Sequence, residues 1–280
     1  MSNLVDIQNL RVSFRQDDGS YNDAVRGVSL SLGREKLGIV GESGSGKSLT
    51  GRSLLGVLPP YARITVDRME FDGIDLTKAT GRQRRALRGG RMGMILQDPK
   101  FSLNPVMQVG QQIVEAIRIG DRRISGGEAR KRAMAMLESV HIREPERVYG
   151  LYPHELSGGM GQRVMIAMML VREPDLLVAD EPTSALDVTV RTQVLSIIDE
   201  LVTRRGMGLI LISHDLNLVS RFCDRVLVMY AGHVVEDLVA SRLHDATHPY
   251  TRGLLACLPT IDGPLEPLPT LNRDASWAAA

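Results

Sequence analysis

The residues whose types and spacing best suit chemistry run Gly41-Glu42-Ser43-Gly44-Ser45-Gly46-Lys47-Ser48. They fit G-x-x-x-x-G-K-[ST], a phosphate cradle. Glycines let such a loop bend until successive backbone N–H groups point inward at an anion, since no Cβ blocks positive φ or close approach. The apolar run Leu37-Gly38-Ile39-Val40 before it reads as a buried strand. The helical pattern after Ser48 adds the positive end of a helix. Lys47 is placed to reach the β- and γ-phosphates of a nucleoside triphosphate, and the Ser48 hydroxyl to ligate Mg²⁺. A glycine-rich surface turn is the plain alternative, and it leaves the ordered strand, loop, Lys-Ser pair and helix unexplained.

A second group of chemical residues is acidic. Residues 175–180 (DLLVAD) read as a buried strand ending in Asp180 and Glu181, followed by Pro182-Thr183-Ser184-Ala185-Leu186-Asp187. Beside a phosphate loop, Asp180 can hold Mg²⁺ through its water shell, and Glu181 can orient or deprotonate the water that attacks the γ-phosphate. Gln97 stands at the carboxyl end of the strand Met92–Leu96, where an open α/β sheet places ligand-contacting groups, and is assigned to Mg²⁺ and the attacking water. Alone, a Gln-Asp-Pro turn is more often structural. His214 closes the strand Gly208–Ile212 and is positioned to contact the γ-phosphate; a lone His is normally structural, and its place at a strand end sets this one apart. Phe14 closes the first strand, as a stacking surface for a nucleotide base or as a core aromatic. Tyr21, in the following turn, is the weaker candidate.

Two stretches compete for a further anion site. Ser125-Gly126-Gly127-Glu128 and Ser157-Gly158-Gly159-Met160-Gly161-Gln162 can each open a helix with a capping Ser and exposed N–H groups. The first has S-x-x-E spacing, which a capping box explains. The second runs into the long apolar helix VMIAMMLV and lies much nearer in sequence to the acidic strand. Residues 157–162 are therefore taken as functional and 125–128 as a decoy.

These groups need a scaffold. Residues 3–14 and Val25–Leu32 read as a hairpin around the turn at residues 17–20, the helix after the cradle is expected to stop at Pro59-Pro60, and residues 69–73 form another strand. The region from about 109 to 172 reads as a helical insertion, its Met residues filling core. Val226–Met229 and His233–Glu236 close as a hairpin, and beyond Asp245 come one short helix and a loosely ordered tail. The fold class is α/β with a P-loop core, an antiparallel β subdomain and a helical insertion; the main domain spans 1–260 and the tail 261–280.

With 280 residues and 43% hydrophobic content the chain can bury a sizeable core. No apolar run reaches the roughly 18 residues that span a bilayer, and Asp6 interrupts any signal-like start. Cys223 and Cys257 are too few for a disulfide framework or cysteine metal site and are read as reduced packing residues. A net charge of +1 gives no general field for nucleic acid. The run Arg82, Arg84, Arg85, Arg88 and Arg91 has no interleaved aromatics and reads as a solvated helix face.

Taken together, the phosphate loop, Gln97, LSGGMGQR, DLLVADEPTSALD and ISHD resemble, in order and spacing, the nucleotide-binding subunits of ABC transporters over about residues 3–260. The resemblance implies ATP and Mg²⁺ as ligands and ATP hydrolysis as the reaction. It implies that Ser157, Gly158 and Gly159 contact the γ-phosphate held on the Lys47 loop of a second ATPase subunit, alike or identical. It makes Phe14 the base-stacking aromatic, Gln97 the Q-loop residue, Ser184–Asp187 the D-loop and His214 the switch histidine. Two transmembrane permease subunits, an indirect extracytoplasmic binding protein and a place on the cytoplasmic face of the inner membrane are further implications. Met160-Gly161, where the usual signature has Gln and a variable residue, together with QDPKFSLNP, GKSLT and HPYTRGLLACLP, point to importers of peptides and nickel. Cys257 has no later partner, so no metal cluster is expected, and the short tail leans toward nickel or a metal chelate. A P-loop kinase or GTPase would need an acceptor lid or an N-K-x-D motif. A soluble ABC ATPase of DNA repair or translation, usually with two cassettes or a long coiled coil, is the alternative.

Overall fold

Hydrophobic alternation at the amino end is realised as a long two-stranded ribbon, β1 (Val5–Arg15) and β2 (Tyr21–Leu32), in a computed structural model that describes residues 3–98, 102–184 and 186–258 with Leu271, Asp274 and Trp277. In chain order there follow β3 (Lys36–Val40), α1 (Lys47–Leu55), β4 (Arg63–Thr65), β5 (Arg68–Phe71), β6 (Ile74–Asp75), α2 (Gly81–Gly90) and β7 (Met92–Ile95). Four helices come next, α3 (Val109–Gly120), α4 (Gly126–Ser139), α5 (Pro145–Gly150) and α6 (Gly158–Leu170). Then come β8 (Leu176–Asp180), α7 (Val188–Arg205), β9 (Gly208–Ile212), α8 (Leu216–Phe222), β10 (Arg225–Tyr230), β11 (His233–Val239) and α9 (Pro249–Ala256). The chain forms two compact units, one of Met1–Ala79 with Ile210–Ala280 and one of Thr80–Leu209.

In the first unit β1 and β2 pair antiparallel from Val5 opposite Leu32 to Arg15 opposite Tyr21. Val5, Ile7, Leu10 and Val12 are buried with Val25, Val28, Leu30 and Leu32. β4 and β5 join β1, and β6 joins β5, all antiparallel. β3 runs parallel to β10, which turns through Ala231 (φ 47°) and Gly232 (φ 90°) into antiparallel β11. Two positive φ angles give the turn a twist that matches the strands it joins. A Cβ at Gly38 would lie 2.1 Å from Val219 Cγ1, so glycine there lets α8 lie directly on β3.

In the second unit Thr80 and Gln83 cap α2 with a reciprocal box, and Arg82 and Arg85 are exposed, as a solvated face requires. β7 and β8 pair parallel, Met92 opposite Leu176, with Arg91 Nε 2.7 Å from Asp175 Oδ2 just before them. From Val109 to Leu170 the described residues hold helices and no strand; Met136 and Met165 are buried, as core filling predicts. Every residue of β8 is buried.

Several local expectations are corrected. The helix after the cradle ends at Gly56, not at the prolines: Gly56 adopts φ 64° and its N–H turns back to Arg52 O and Ser53 O, which closes the helix before Pro59 is reached. Tyr21 opens β2 opposite Arg15 instead of sitting in the turn. The two-residue and three-residue strands β6 and β4, and the seven-residue α8, were not anticipated, being too short to show a period. Pro99, Ala185 and all of the tail except Leu271, Asp274 and Trp277 lie outside the described residues.

Candidate functional site

β3 delivers its chain into the phosphate loop fully buried from Leu37 on. Gly41, Gly44 and Gly46 take φ of 144°, 83° and 98°, which a side chain would strain. Space is as restrictive as backbone angle, because a Cβ at Gly41 would lie 2.1 Å from the Met229 carbonyl oxygen and one at Gly46 2.9 Å from that of Ala24. Ser43 and Gly44 are exposed at the mouth, Glu42 and Ser48 are half-buried, and Ser45 is buried. Lys47 is only 6% exposed, and its ammonium donates to the carbonyls of Gly41 and Glu42, each at 2.7 Å. A buried cation at the start of a helix, ringed by glycine backbone, is a donor set suited to a polyphosphate.

Two further expected residues belong to this unit. Phe14 is half-buried at the end of β1 with its ring 6.1 Å from that of Tyr61, which is 72% exposed. Of the two readings of Phe14, an accessible aromatic surface fits this exposure better than a core position, and Tyr61 extends it. Sequence inspection passed over Tyr61; the Pro-Pro-Tyr run after α1 was its one signal. His214 is exposed just past β9, where Ser213 N–H donates to Ile39 O at 3.1 Å, so β9 ends alongside β3.

The second unit holds the acids and the signature. Asp180 ends β8 at 3% exposure. Glu181 follows with φ 48°, a left-handed conformation that a non-glycine residue adopts at a cost and that clusters at functional sites. Its carboxylate accepts from Gln97 Nε2 at 3.4 Å, so the structure brings Gln97 and Glu181 together. Gln162, 1% exposed, donates to Pro182 O at 2.5 Å and fastens the signature helix to the turn after the acids. Asp187 caps α7 by accepting from Val190 N–H at 3.0 Å, a structural duty beside any functional one.

Ser157 caps α6, accepting from Met160 N–H at 3.4 Å, and Ser157 and Gly158 are exposed. A Cβ at Gly158 meets nothing within 4 Å, whereas one at Gly159 would lie 2.7 Å from Val190 Cγ1. The turn opens onto a groove of about 880 Å³ that Arg143, Arg147 and Arg163 also line. Burial holds the Arg163 guanidinium below its ordinary pKa, and Arg143 adds to the effect. Ser125 caps α4 from Glu128 N–H at 3.2 Å, as expected of the decoy, but the bond is one-way rather than the reciprocal box foreseen. Cys223 is buried with its thiol pushed up to about 12, chiefly by burial, and is inert packing.

The description ABC transporter matches residues 25–184. The chain belongs to this ABC transporter family. It is 45% identical over 267 residues to the dipeptide transport ATP-binding protein DppD of Bacillus subtilis, covering 94% of this chain and 78% of the relative. The oligopeptide transport ATP-binding protein OppD of the same organism is 44% identical over 265 residues, covering 94% and 74%. The dimeric ABC transporter cassette MJ0796 superposes with a TM-score of 0.74 at 26% identity, covering 84% of this chain and 98% of that one. A post-hydrolysis state of MJ0796 bound to ADP and Pi matches equally, with a TM-score of 0.74. The fold is thus the ABC cassette form of the P-loop class, and the chain is an ABC-type ATPase. Among the described residues no helix is long and apolar enough to cross a membrane.

Proposed function

We propose that this ATPase powers peptide import, paired with a second ATPase subunit, alike or identical, beneath two membrane-spanning permease subunits on the cytoplasmic face of the inner membrane. The observation that carries the proposal is the identity of 45% to a dipeptide transport protein across 94% of the chain, the signature and acidic strand included. Peptides are preferred to nickel or a metal chelate because DppD and OppD are named for peptides. Selection of cargo falls to an extracytoplasmic binding protein and the permeases.

Each group has its part. Lys47 exchanges the Gly41 and Glu42 carbonyls for β- and γ-phosphate oxygens of ATP, and the N–H groups of the loop take the remaining charge. Ser48, Asp180 and Gln97 offer the oxygen donors that suit Mg²⁺, which neutralises phosphate charge when bound. Glu181 accepts the proton of the attacking water, Gln97 holds that carboxylate in place, and His214 contacts the γ-phosphate. Phe14 stacks on the base. Ser157, Gly158 and Gly159 present their open turn, with Asp187, to the γ-phosphate on the other ATPase subunit.

Deletion of the gene followed by growth on dipeptides as sole nitrogen source, and separately under nickel limitation, tests the cargo. Loss of growth on dipeptides alone is expected; loss under nickel limitation alone overturns the peptide assignment. Purification with integral membrane subunits tests the transporter assignment, and a chain recovered with nucleic acid or ribosomes instead would favour the soluble alternative.

A further inference from the structure

The outer wall of the phosphate loop is built from the far end of the chain. The Met229 carbonyl closes on Gly41, Gly232 N–H donates to Ser45 O at 3.2 Å, and Glu42 N–H donates to the Tyr250 hydroxyl at 2.9 Å. Tyr250 is 0% exposed, and its ring lies 4.4 Å from that of Tyr230 and 6.3 Å from that of Trp277. Its backbone is fixed as well. Glu236 on β11 accepts from the N–H groups of Thr247 at 2.5 Å and His248 at 3.0 Å, and His248 Nδ1 accepts from Tyr250 N–H at 3.2 Å. Burial pushes the Glu236 carboxyl up, but the nearby Thr251 hydroxyl and the hydrogen bonds from His248 and Thr247 outweigh it and leave the group below its usual range, ionised as an acceptor.

Glu42 N–H and Gly41 C=O are the two ends of one peptide group. A trans peptide is planar, with its N–H and C=O pointing opposite ways. When the Tyr250 hydroxyl draws the N–H outward, it necessarily turns the carbonyl inward, where Gly41 O receives the Lys47 ammonium at 2.7 Å. Gly41 at φ 144° has little side-chain bulk to resist a flip of that peptide, so an external hold on it matters.

We propose that Tyr250 is a positioning residue for the nucleotide site: its hydroxyl sets the Gly41–Glu42 peptide and thereby the resting place of the Lys47 ammonium. The inference depends on the Lys47 loop being the ATP cradle, as argued above. The chain's HPYT stretch is then part of the nucleotide machinery.

The test is Tyr250→Phe in the full chain, which keeps the packed ring and deletes the hydroxyl. Loss of the hydroxyl that accepts from the Glu42 N–H should weaken ATP binding about three- to tenfold. Amide hydrogen exchange at Glu42 should quicken while the β3 amides stay protected, a pattern that general destabilisation does not give. Tyr230→Phe, in the same aromatic cluster, should bind ATP as the unaltered chain does. ATP affinity and Glu42 exchange both unchanged in Tyr250→Phe overturns the inference, and so does β3 exchange rising in step with Glu42. Lys47→Ala, measured alongside, separates the two levels: if it retains ATP affinity, the cradle itself is misassigned.

Discussion

The two helix N-termini proposed to receive phosphate in this chain are built in opposite ways. At α1 the ammonium is buried, the glycines are pressed against carbonyls of Ala24 and Met229, and the loop is fastened by Gly232 and Tyr250. At α6 the capping Ser157 and Gly158 stand exposed, and nothing lies within 4 Å of where a Gly158 side chain would start. The first is a closed receptacle formed by its own unit. The second is an unfinished surface, as expected of a half-site that meets its phosphate on another subunit. Burial of the Lys47 ammonium favours the first, because a preorganised cation held out of water is less solvated in competition with a ligand.

The largest effect should come from the closed side. Lys47→Ala should drop hydrolysis to background and weaken ATP binding by about 100-fold, two charge-assisted contacts being lost. Unchanged ATPase activity would remove the basis of the comparison. Next, Glu181→Gln keeps size and removes basicity, so turnover in the assembled transporter should fall by about 100- to 10,000-fold while ATP still binds. The closed and open sites should then stay engaged around uncleaved ATP, giving an ATP-dependent dimer by light scattering; normal turnover would exclude Glu181 as the base.

A pair of small changes sharpens the contrast sterically. Gly41→Ala forces a methyl group toward Met229 O from a positive-φ position and should cost about 2–4 kcal/mol of folding stability, read by urea denaturation. Gly158→Ala enters open space and should change stability by less than about 1 kcal/mol. Equal costs would mean that the two turns are not closed and open as described.

The closed side was the more legible in the sequence. Residues 41–48 carry their own geometry, since glycines at fixed places, an apolar strand before and a helix after leave few ways to fold. The acids at the end of DLLVAD were legible for the same reason, a polar pair terminating a buried run. The decoy at Ser125 could be set aside by its Glu128, although only half of the expected box forms. What sequence reading missed depends on distant partners. The end of α1 at Gly56 is the exception, a local glycine cap; nothing near Glu42 announces that its N–H belongs to Tyr250, and nothing in the Pro59-Pro60 run announces that Tyr61 will face Phe14. Such contacts arise from the register of β1 with β4 and of β10 with β11, which local pattern does not encode.

The most direct test separates binding from turnover in Gly158→Asp, with Gly126→Asp as its control at the decoy turn. A carboxylate at residue 158 opposes a phosphate only where the signature meets one. If the closed site works within its own chain and the open turn serves another, isolated Gly158→Asp should bind ATP within about twofold of the unaltered chain, yet lose hydrolysis in the assembled transporter, while Gly126→Asp keeps both. Loss of ATP binding by the isolated Gly158→Asp chain, or full hydrolysis by that variant in the transporter, would contradict the division into a closed and an open half.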